Sequence, residues 1–241
     1  METQEKKDIS FALEMAGVEY QWPGKQNFSI SIERFAIEPG ERVLLLGESG
    51  SGKSTLLSLI CGIILPDSGT ISIGQTSLND LSPTERDRFR AENIGVIFQM
   101  FNLLPNVTPL DNVLLPLHFA PARKARLDEP AREAALSIMQ KLGLPLDAMI
   151  GSPSSRLSVG QQQRVAVARA LIGQPSLIIA DEPTSALDEK SQSSFMQLLF
   201  EQLATAGSTL LMVSHDASLA SRFSRTVSMS DIAETRQMVL A

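Results

Sequence analysis

The sequence predicts an α/β fold: a parallel β-sheet covered by helices on both faces, joined to an N-terminal antiparallel β-section and interrupted by a helical insertion. Three observations predict it. Nearly unbroken apolar runs (Arg42-Val43-Leu44-Leu45-Leu46, Ile94 to Phe98, Leu177-Ile178-Ile179-Ala180 and Thr209 to Val213) alternate with amphipathic helical segments, as strands buried on both faces do. Shorter runs from Ser10 to Ile37 alternate apolar and polar residues, the pattern of antiparallel strands with one wet face. Residues 100 to about 157 carry Pro105, Pro109, Pro116, Pro121 and Pro130 between helical stretches and show no strand pattern.

In order, residues 1–9 are polar and charged and predict a frayed end. Strands are expected around Phe11-Ala12-Leu13, Phe28 to Ile32 and Arg34 to Ile37, with a turn at Tyr20-Gln21-Trp22-Pro23-Gly24 that displays two aromatics. Pro39-Gly40 turns into the strand Arg42–Leu46, and a helix follows from Thr55. Pro66-Asp67-Ser68-Gly69 leads to a strand at Thr70–Ile73, and Ser82-Pro83-Thr84-Glu85 has the form of a helix start: serine cap, proline at N1 and glutamate at N3. In the insertion, Ala135, Ile138, Met139 and Leu142 share a helical face. A helix over Gln161–Ile172 is closed by Gly173 and Pro175, and another from about Glu189 puts Phe195, Leu198, Leu199 and Leu203 on one face. The boundaries read as one domain, with a β core over 10–99 and 160–230 and a helical part over 100–159.

Composition bounds the function. The chain has 241 residues, 43% hydrophobic and 20% charged, which is ordinary for a folded protein with a full core. A net charge of −6 argues against a dedicated nucleic-acid or anionic-lipid surface. Cys61 is the single cysteine, so no internal disulfide forms, and its apolar helical setting reads as a packed thiol in a reducing compartment. No segment reads as a signal peptide, and Leu56 to Leu65, broken by Ser58 and Gly62, is far short of the ~20 residues a bilayer span needs. Any membrane role is expected through a partner.

The chemistry starts at Gly47-Glu48-Ser49-Gly50-Ser51-Gly52-Lys53-Ser54, a match to G-x-x-x-x-G-K-[ST] between a strand and a helix. Such glycines let amide groups converge on a phosphate at a helix N-terminus, lysine adds a point charge and Ser54 a hydroxyl for Mg²⁺. In parallel sheets ligands bind beyond the C-terminal strand ends. Gln99, Asp181, Glu182 and His215 all stand at such ends, so they are expected in one site with the loop. Asp181 suits a metal, Glu182 suits a base that polarises an attacking water, and His215 suits a γ-phosphate contact. Gln99 is long enough to reach metal or water when its loop is in place. His118 stands among prolines with no partner motif and reads as a surface or packing residue.

At Leu157-Ser158-Val159-Gly160-Gln161 the chain resembles the LSGGQ signature of ATP-binding-cassette (ABC) ATPases. The other family motifs stand in family order: Walker A (Gly47 to Ser54, with Thr55 next), the Q-loop Gln99, Walker B ending at Asp181, the catalytic Glu182, the D-loop ending at Asp188 and the switch His215. The resemblance covers nearly the whole chain. It implies a P-loop NTPase with a RecA-like parallel core, ATP and Mg²⁺ as ligands (metal held through Ser54, Gln99 and Asp181), and ATP hydrolysis. It also implies a head-to-tail dimer, the expected pair being two copies, in which Ser158, Val159, Gly160 and Gln161 meet the partner's ATP. Val159 departs from the usual glycine and would be strained if the backbone needs a positive φ there. Family members stack adenine on an aromatic upstream of Walker A, a position that Trp22 matches best, with Tyr20 as the alternative.

Phe98-Gln99-Met100-Phe101-Asn102-Leu103-Leu104-Pro105, with Thr108 and Asp111-Asn112-Val113, look like the exporter and mechanotransmission group that includes MacB, LolD and FtsE. Members drive separate membrane subunits of the MacB, LolC or FtsX type from the cytoplasmic face of the inner membrane, and the short stretch after His215 fits them. The substrate is set by those subunits. A soluble cassette acting on nucleic acid or ribosomes fits less well, because there is one cassette, no sustained heptad pattern and an acidic balance. A hydrolysis-poor scaffold fits less well because Glu182 and His215 are both present.

Overall fold

The computed structural model describes residues 10–23, 28–185 and 187–237. The frayed end expected over 1–9, Gly24 of the first expected turn and Ala186 of the D-loop lie outside the described residues. The chain runs through β1 (Leu13–Gln21), β2 (Phe28–Ile37), β3 (Arg42–Leu46), α1 (Lys53–Ile60), β4 (Ser68–Ile73), β5 (Thr76–Ser77), α2 (Pro83–Asn93) and β6 (Ile94–Ile97). The helical stretch holds α3 (Pro109–Leu114), α4 (Pro121–Ala125), α5 (Ala131–Lys141) and α6 (Leu146–Gly151). Then come α7 (Val159–Leu171), β7 (Leu177–Asp181), α8 (Glu189–Ala206), β8 (Thr209–Ser214), β9 (Arg225–Ser228), α9 (Met229–Ile232) and β10 (Glu234–Gln237).

Two five-stranded sheets form, one parallel in the order β6-β7-β8-β3-β9 and one antiparallel in the order β10-β2-β1-β4-β5. The apolar runs explain the parallel one. Side chains alternate across a strand, so each run feeds two cores. Leu44, Ile178, Ala180, Leu210 and Met212 join the core shared with α7, α8 and the helical insertion, whose Val113, Met139, Leu142 and Met149 are in it too. Val43, Leu45, Leu177, Ile179, Leu211 and Val213 join the core under α1 and the antiparallel sheet. All of these parallel-strand residues are fully buried, and each such aliphatic side chain larger than alanine contributes roughly 1.5–3 kcal/mol.

Helix starts follow local chemistry. Ser82 and Glu85 form the expected capping box: the Glu85 amide donates to Ser82 Oγ at 3.4 Å and the Ser82 amide donates to Glu85 Oε2 at 2.9 Å. In the insertion, fully buried Asn112 is satisfied on every side: its amide nitrogen donates to Leu104 O, Thr108 O and Ser154 Oγ, and its oxygen accepts from the Leu104 amide. Such a closed polar set fixes the 104–108 loop against α3.

Several local expectations change. Phe28–Ile37 is one continuous strand, paired residue by residue with β1 from Leu13↔Ile37 to Gln21↔Ser29. Tyr20 is not displayed in a turn: it lies in β1, paired with Ile30 and buried, because its ring faces the core under the sheet. The signature helix starts at Val159 rather than Gln161, since Ser158 caps it. Past Asp216 the sequence carries no clear pattern; the structure adds β9 beside β3 and β10 beside β2.

Candidate functional site

The phosphate loop lies between the end of β3 and the start of α1. Gly52 stands at the helix N-cap with φ +98°, and no side chain caps that end, so the first-turn amides are left for an anion. At Gly47 a β-carbon would come within 2.7 Å of Ser51 Oγ and 3.0 Å of Met229 Cβ, so any larger residue would force these side chains to shift. Ser51 Oγ is buried without a hydrogen-bond partner among the described residues, a polar atom waiting for one. Lys53, nearly buried, folds back over the loop: Nζ donates to Gly47 O at 2.5 Å and to Glu48 O at 3.1 Å.

Three neighbouring parallel strands, β6, β7 and β8, deliver the rest. Glu182 follows β7 and bridges two bases, with Oε1 3.3 Å from Lys53 Nζ and Oε2 accepting from His215 Nδ1 at 3.1 Å. His215 follows β8. The Glu182 backbone has φ +43°, a left-handed conformation that costs a non-glycine residue about 1–3 kcal/mol and persists only where its surroundings impose it. Its amide donating to Val213 O and its carbonyl accepting from Ser185 do so. Asp181, the last residue of β7, has its carboxyl raised above the usual range, first by burial and then by the Glu182 carboxylate, with Lys53 opposing. Among the described residues no side chain donates a hydrogen bond to it, so a half-buried hard-oxygen ligand is left free near Lys53, while the Ser54 hydroxyl is exposed at the start of α1. That donor pair fits a phosphate-bound Mg²⁺. Among the described residues no three His, Cys, Asp or Glu side chains are grouped so as to hold a metal ion by themselves.

Gln99 stands just past β6, with its Nε2 3.5 Å from Ser185 Oγ, turned toward the D-loop rather than toward Ser54. Asp188 caps α8, its carboxylate accepting from the Ser191 amide and hydroxyl, which holds its carboxyl below the usual range. Trp22 is 39% exposed and donates through Nε1 to Thr55 Oγ1 at 3.1 Å, while Tyr20 packs edge-on beneath it at 5.4 Å. Of the two, the tryptophan is the exposed one, and it is the one that contacts the first turn of α1. His118 is exposed and Cys61 buried, the latter pushed up to about 12 by burial.

The signature residues are elsewhere. Ser158 caps α7 in a second capping box, its Oγ accepting from the Gln161 amide and Gln161 Oε1 accepting from the Ser158 amide. The S-x-x-Q spacing carries that signal in the sequence. Val159 is 51% exposed in the first helical turn and has no positive φ, so it stores no strain. A β-carbon at Gly160 would meet nothing within 4 Å. Two hollows flank the phosphate loop and His215, one of about 460 Å³ bounded by Gly47, Ser51 and His215 and one of about 620 Å³ bounded by Ser185, Glu189 and His215. Ser158, Val159 and Gly160 line neither. A larger hollow of about 680 Å³, on the outer face of the antiparallel sheet, shares only Trp22 with this site.

A family model described as "ABC transporter" matches residues 31–185. The lipoprotein-releasing system ATP-binding protein LolD 1 of Caulobacter vibrioides is 42% identical over 192 residues, 80% of each chain. LolD 2 of Rhodospirillum rubrum is 42% identical over 197 residues, 82% of this chain and 83% of that one. Among solved structures, the ATP-binding cassette MJ0796, a dimer in a post-hydrolysis state bound to ADP and Pi, is similar with a TM-score of 0.77 and 34% identity over 95% of this chain and all of that one. CbiO1 of Clostridium perfringens, part of the cbiONQ transporter complex, is similar with a TM-score of 0.70 and 27% identity over 86% of this chain and 79% of that one.

Proposed function

Since the chain belongs to the ABC transporter family, as an ATP-binding and ATP-hydrolysing subunit that works with a membrane partner, we propose that two copies close head-to-tail over two ATP and pull on permease subunits of the MacB, LolC or FtsX type. Two relatives named for lipoprotein release favour that branch. No helix among the described residues is long and apolar enough to cross a membrane, which fits a peripheral place on the cytoplasmic face of the inner membrane.

The observation that carries the reading is the convergence of Lys53 and His215 on the Glu182 carboxylate, at 3.3 and 3.1 Å, beside an uncapped helix N-terminus. When ATP enters, its phosphates take the loop amides and draw Lys53 from the Gly47 and Glu48 carbonyls and from Glu182. Trp22 stacks on adenine, a contact worth roughly 1–3 kcal/mol. Ser54 and Asp181 would hold a Mg²⁺, joined by Gln99 once its loop turns inward, and the ion would supply charge neutralisation for the phosphates. Glu182, released from Lys53, orients a water and takes its proton as the oxygen attacks the γ-phosphorus; the bond to the ADP oxygen breaks, and ADP and phosphate leave. His215 steadies Glu182 and the γ-phosphate. The free face of Gly160 and the outward start of α7 suit the other protomer's γ-phosphate. A D-loop role for Asp188 would run through the α8 cap that it forms.

Two experiments test this. Glu182→Gln is expected to keep ATP binding and trap the closed pair; hydrolysis at the wild-type rate would remove Glu182 as the base. Affinity purification from detergent-solubilised native membranes is expected to bring down a membrane protein with a large extracytoplasmic domain. Ribosomal or DNA-bound partners without a membrane protein would overturn the transport reading.

A further inference from the structure

Arg169 lies near the end of α7, the helix that begins at the signature, and its side chain is nearly buried. It forms no ion pair among the described residues. Instead the guanidinium fork spans two consecutive backbone carbonyls: Nη1 donates to Asn102 O at 2.7 Å and Nη2 to Phe101 O at 2.5 Å. Those two residues both sit in the left-handed region, with φ +57° and +47°, a conformation that asparagine tolerates but that is costly for phenylalanine. They stand two and three residues after Gln99, in a segment whose Phe98, Met100 and Leu104 side chains are exposed. Desolvation lowers the Arg169 pKa, yet nothing acidic is there to offset it, so the position spends a buried cation on holding backbone. The same end of α7 is fixed from the insertion: Arg123, on α4, donates to the carbonyls of Arg169, Ala170 and Ile172.

We propose that Arg169 is a positioning residue, whose fork holds the strained Gln99 loop and ties it to α7, so that a shift of the exposed Phe98-Met100-Leu104 face moves Ser158 with it. This rests on the ATPase reading above. Lysine retains the charge but presents a point donor in place of a planar fork, so it cannot hold both carbonyls in the same geometry. Glycine at 102 takes the left-handed conformation unaided.

The test is a double-mutant cycle on the full chain with Arg169→Lys, Asn102→Gly and both. Arg169→Lys is expected to lower kcat by about 10–100-fold, the scale for a catalytic group displaced by about 1 Å. KM for ATP should stay within about twofold, because the phosphate loop is untouched. Asn102→Gly should restore part of kcat to Arg169→Lys. Unchanged kcat would overturn the proposal. So would a joint collapse of kcat, KM and melting temperature with no rescue, which would mark Arg169 as structural only. Amide exchange across residues 98–104 reads the tie without catalysis: it should quicken in Arg169→Lys and slow again in the double variant, and no change would overturn the tie. A wild-type chain that hydrolyses no ATP would sink the ATPase reading, whereas the exchange result would still stand on its own.

Discussion

At the C-terminal ends of β7, β3 and β8, the functional groups hold one another: Glu182 is shared by Lys53 and His215, and Lys53 also lies on two loop carbonyls. At the start of α7 the polar groups hold only themselves, Ser158 and Gln161 closing a capping box while Gly160 faces open space. The first region is a set of charges that a ligand must rearrange. The second is a finished helix end aimed outward, with nothing of its own chain to act on. One region is therefore built to receive phosphate, and the other to be received.

Breaking the first region gives the largest effect. Lys53→Ala removes the charge that phosphate needs and leaves Glu182 with His215 alone. Its kcat/KM for ATP is expected to fall by about 10²–10³-fold, the scale for losing one preorganised electrostatic group. A fall of only a few-fold would show that the loop amides suffice.

Asp181→Asn sharpens the contrast, because it separates stability from activity. Burial and the Glu182 carboxylate raise the Asp181 pKa in the folded chain, so its ionised form works against folding. Protonation relieves that cost, so the wild type loses this contribution as pH rises through the raised folded pKa. The asparagine variant is thus expected to melt above the wild type near pH 7, with the gap closing as pH falls below the usual carboxylate pKa, while Mg²⁺-dependent hydrolysis drops. Melting curves across pH check the sign; a variant less stable at pH 7 would contradict it.

The smallest effect is expected in the second region. Val159→Gly restores the usual signature residue, but Val159 is exposed and has no positive φ to relieve. Its stability should change by no more than about 1 kcal/mol, the scale of glycine's helix penalty. Turnover should remain within a few-fold, and a large gain would show that the side chain obstructs the partner's ATP.

The two regions were not equally legible in the sequence. The phosphate loop, the buried strands and the Ser82 box declare themselves through residues within a few positions of one another, so pattern alone places them. Glu182 could be assigned to a strand end, but not its positive φ or its bridge from Lys53 to His215, which arise only when three strands align. Tyr20 and Trp22 look alike as aromatics, and the pairing of Tyr20 with Ile30 decides which one is buried. The tie from Arg169 to Phe101 and Asn102 spans 67–68 residues and uses backbone carbonyls, which carry no residue-type signal. The Ser158–Gln161 box was open to a local reading through its spacing.

The most direct test of the central claim, that each ATP site takes its phosphate loop from one copy and its signature from the other, is to mix two inactive chains. Lys53→Ala lacks the loop charge, and Gly160→Asp places a carboxylate where the γ-phosphate would approach. Each alone is expected to be inactive. A mixed pair would unite the intact loop of the second with the intact signature of the first, so the account predicts ATP hydrolysis in the mixture that neither variant shows alone. A mixture as inactive as its components, with mixed pairs shown to form, would contradict it.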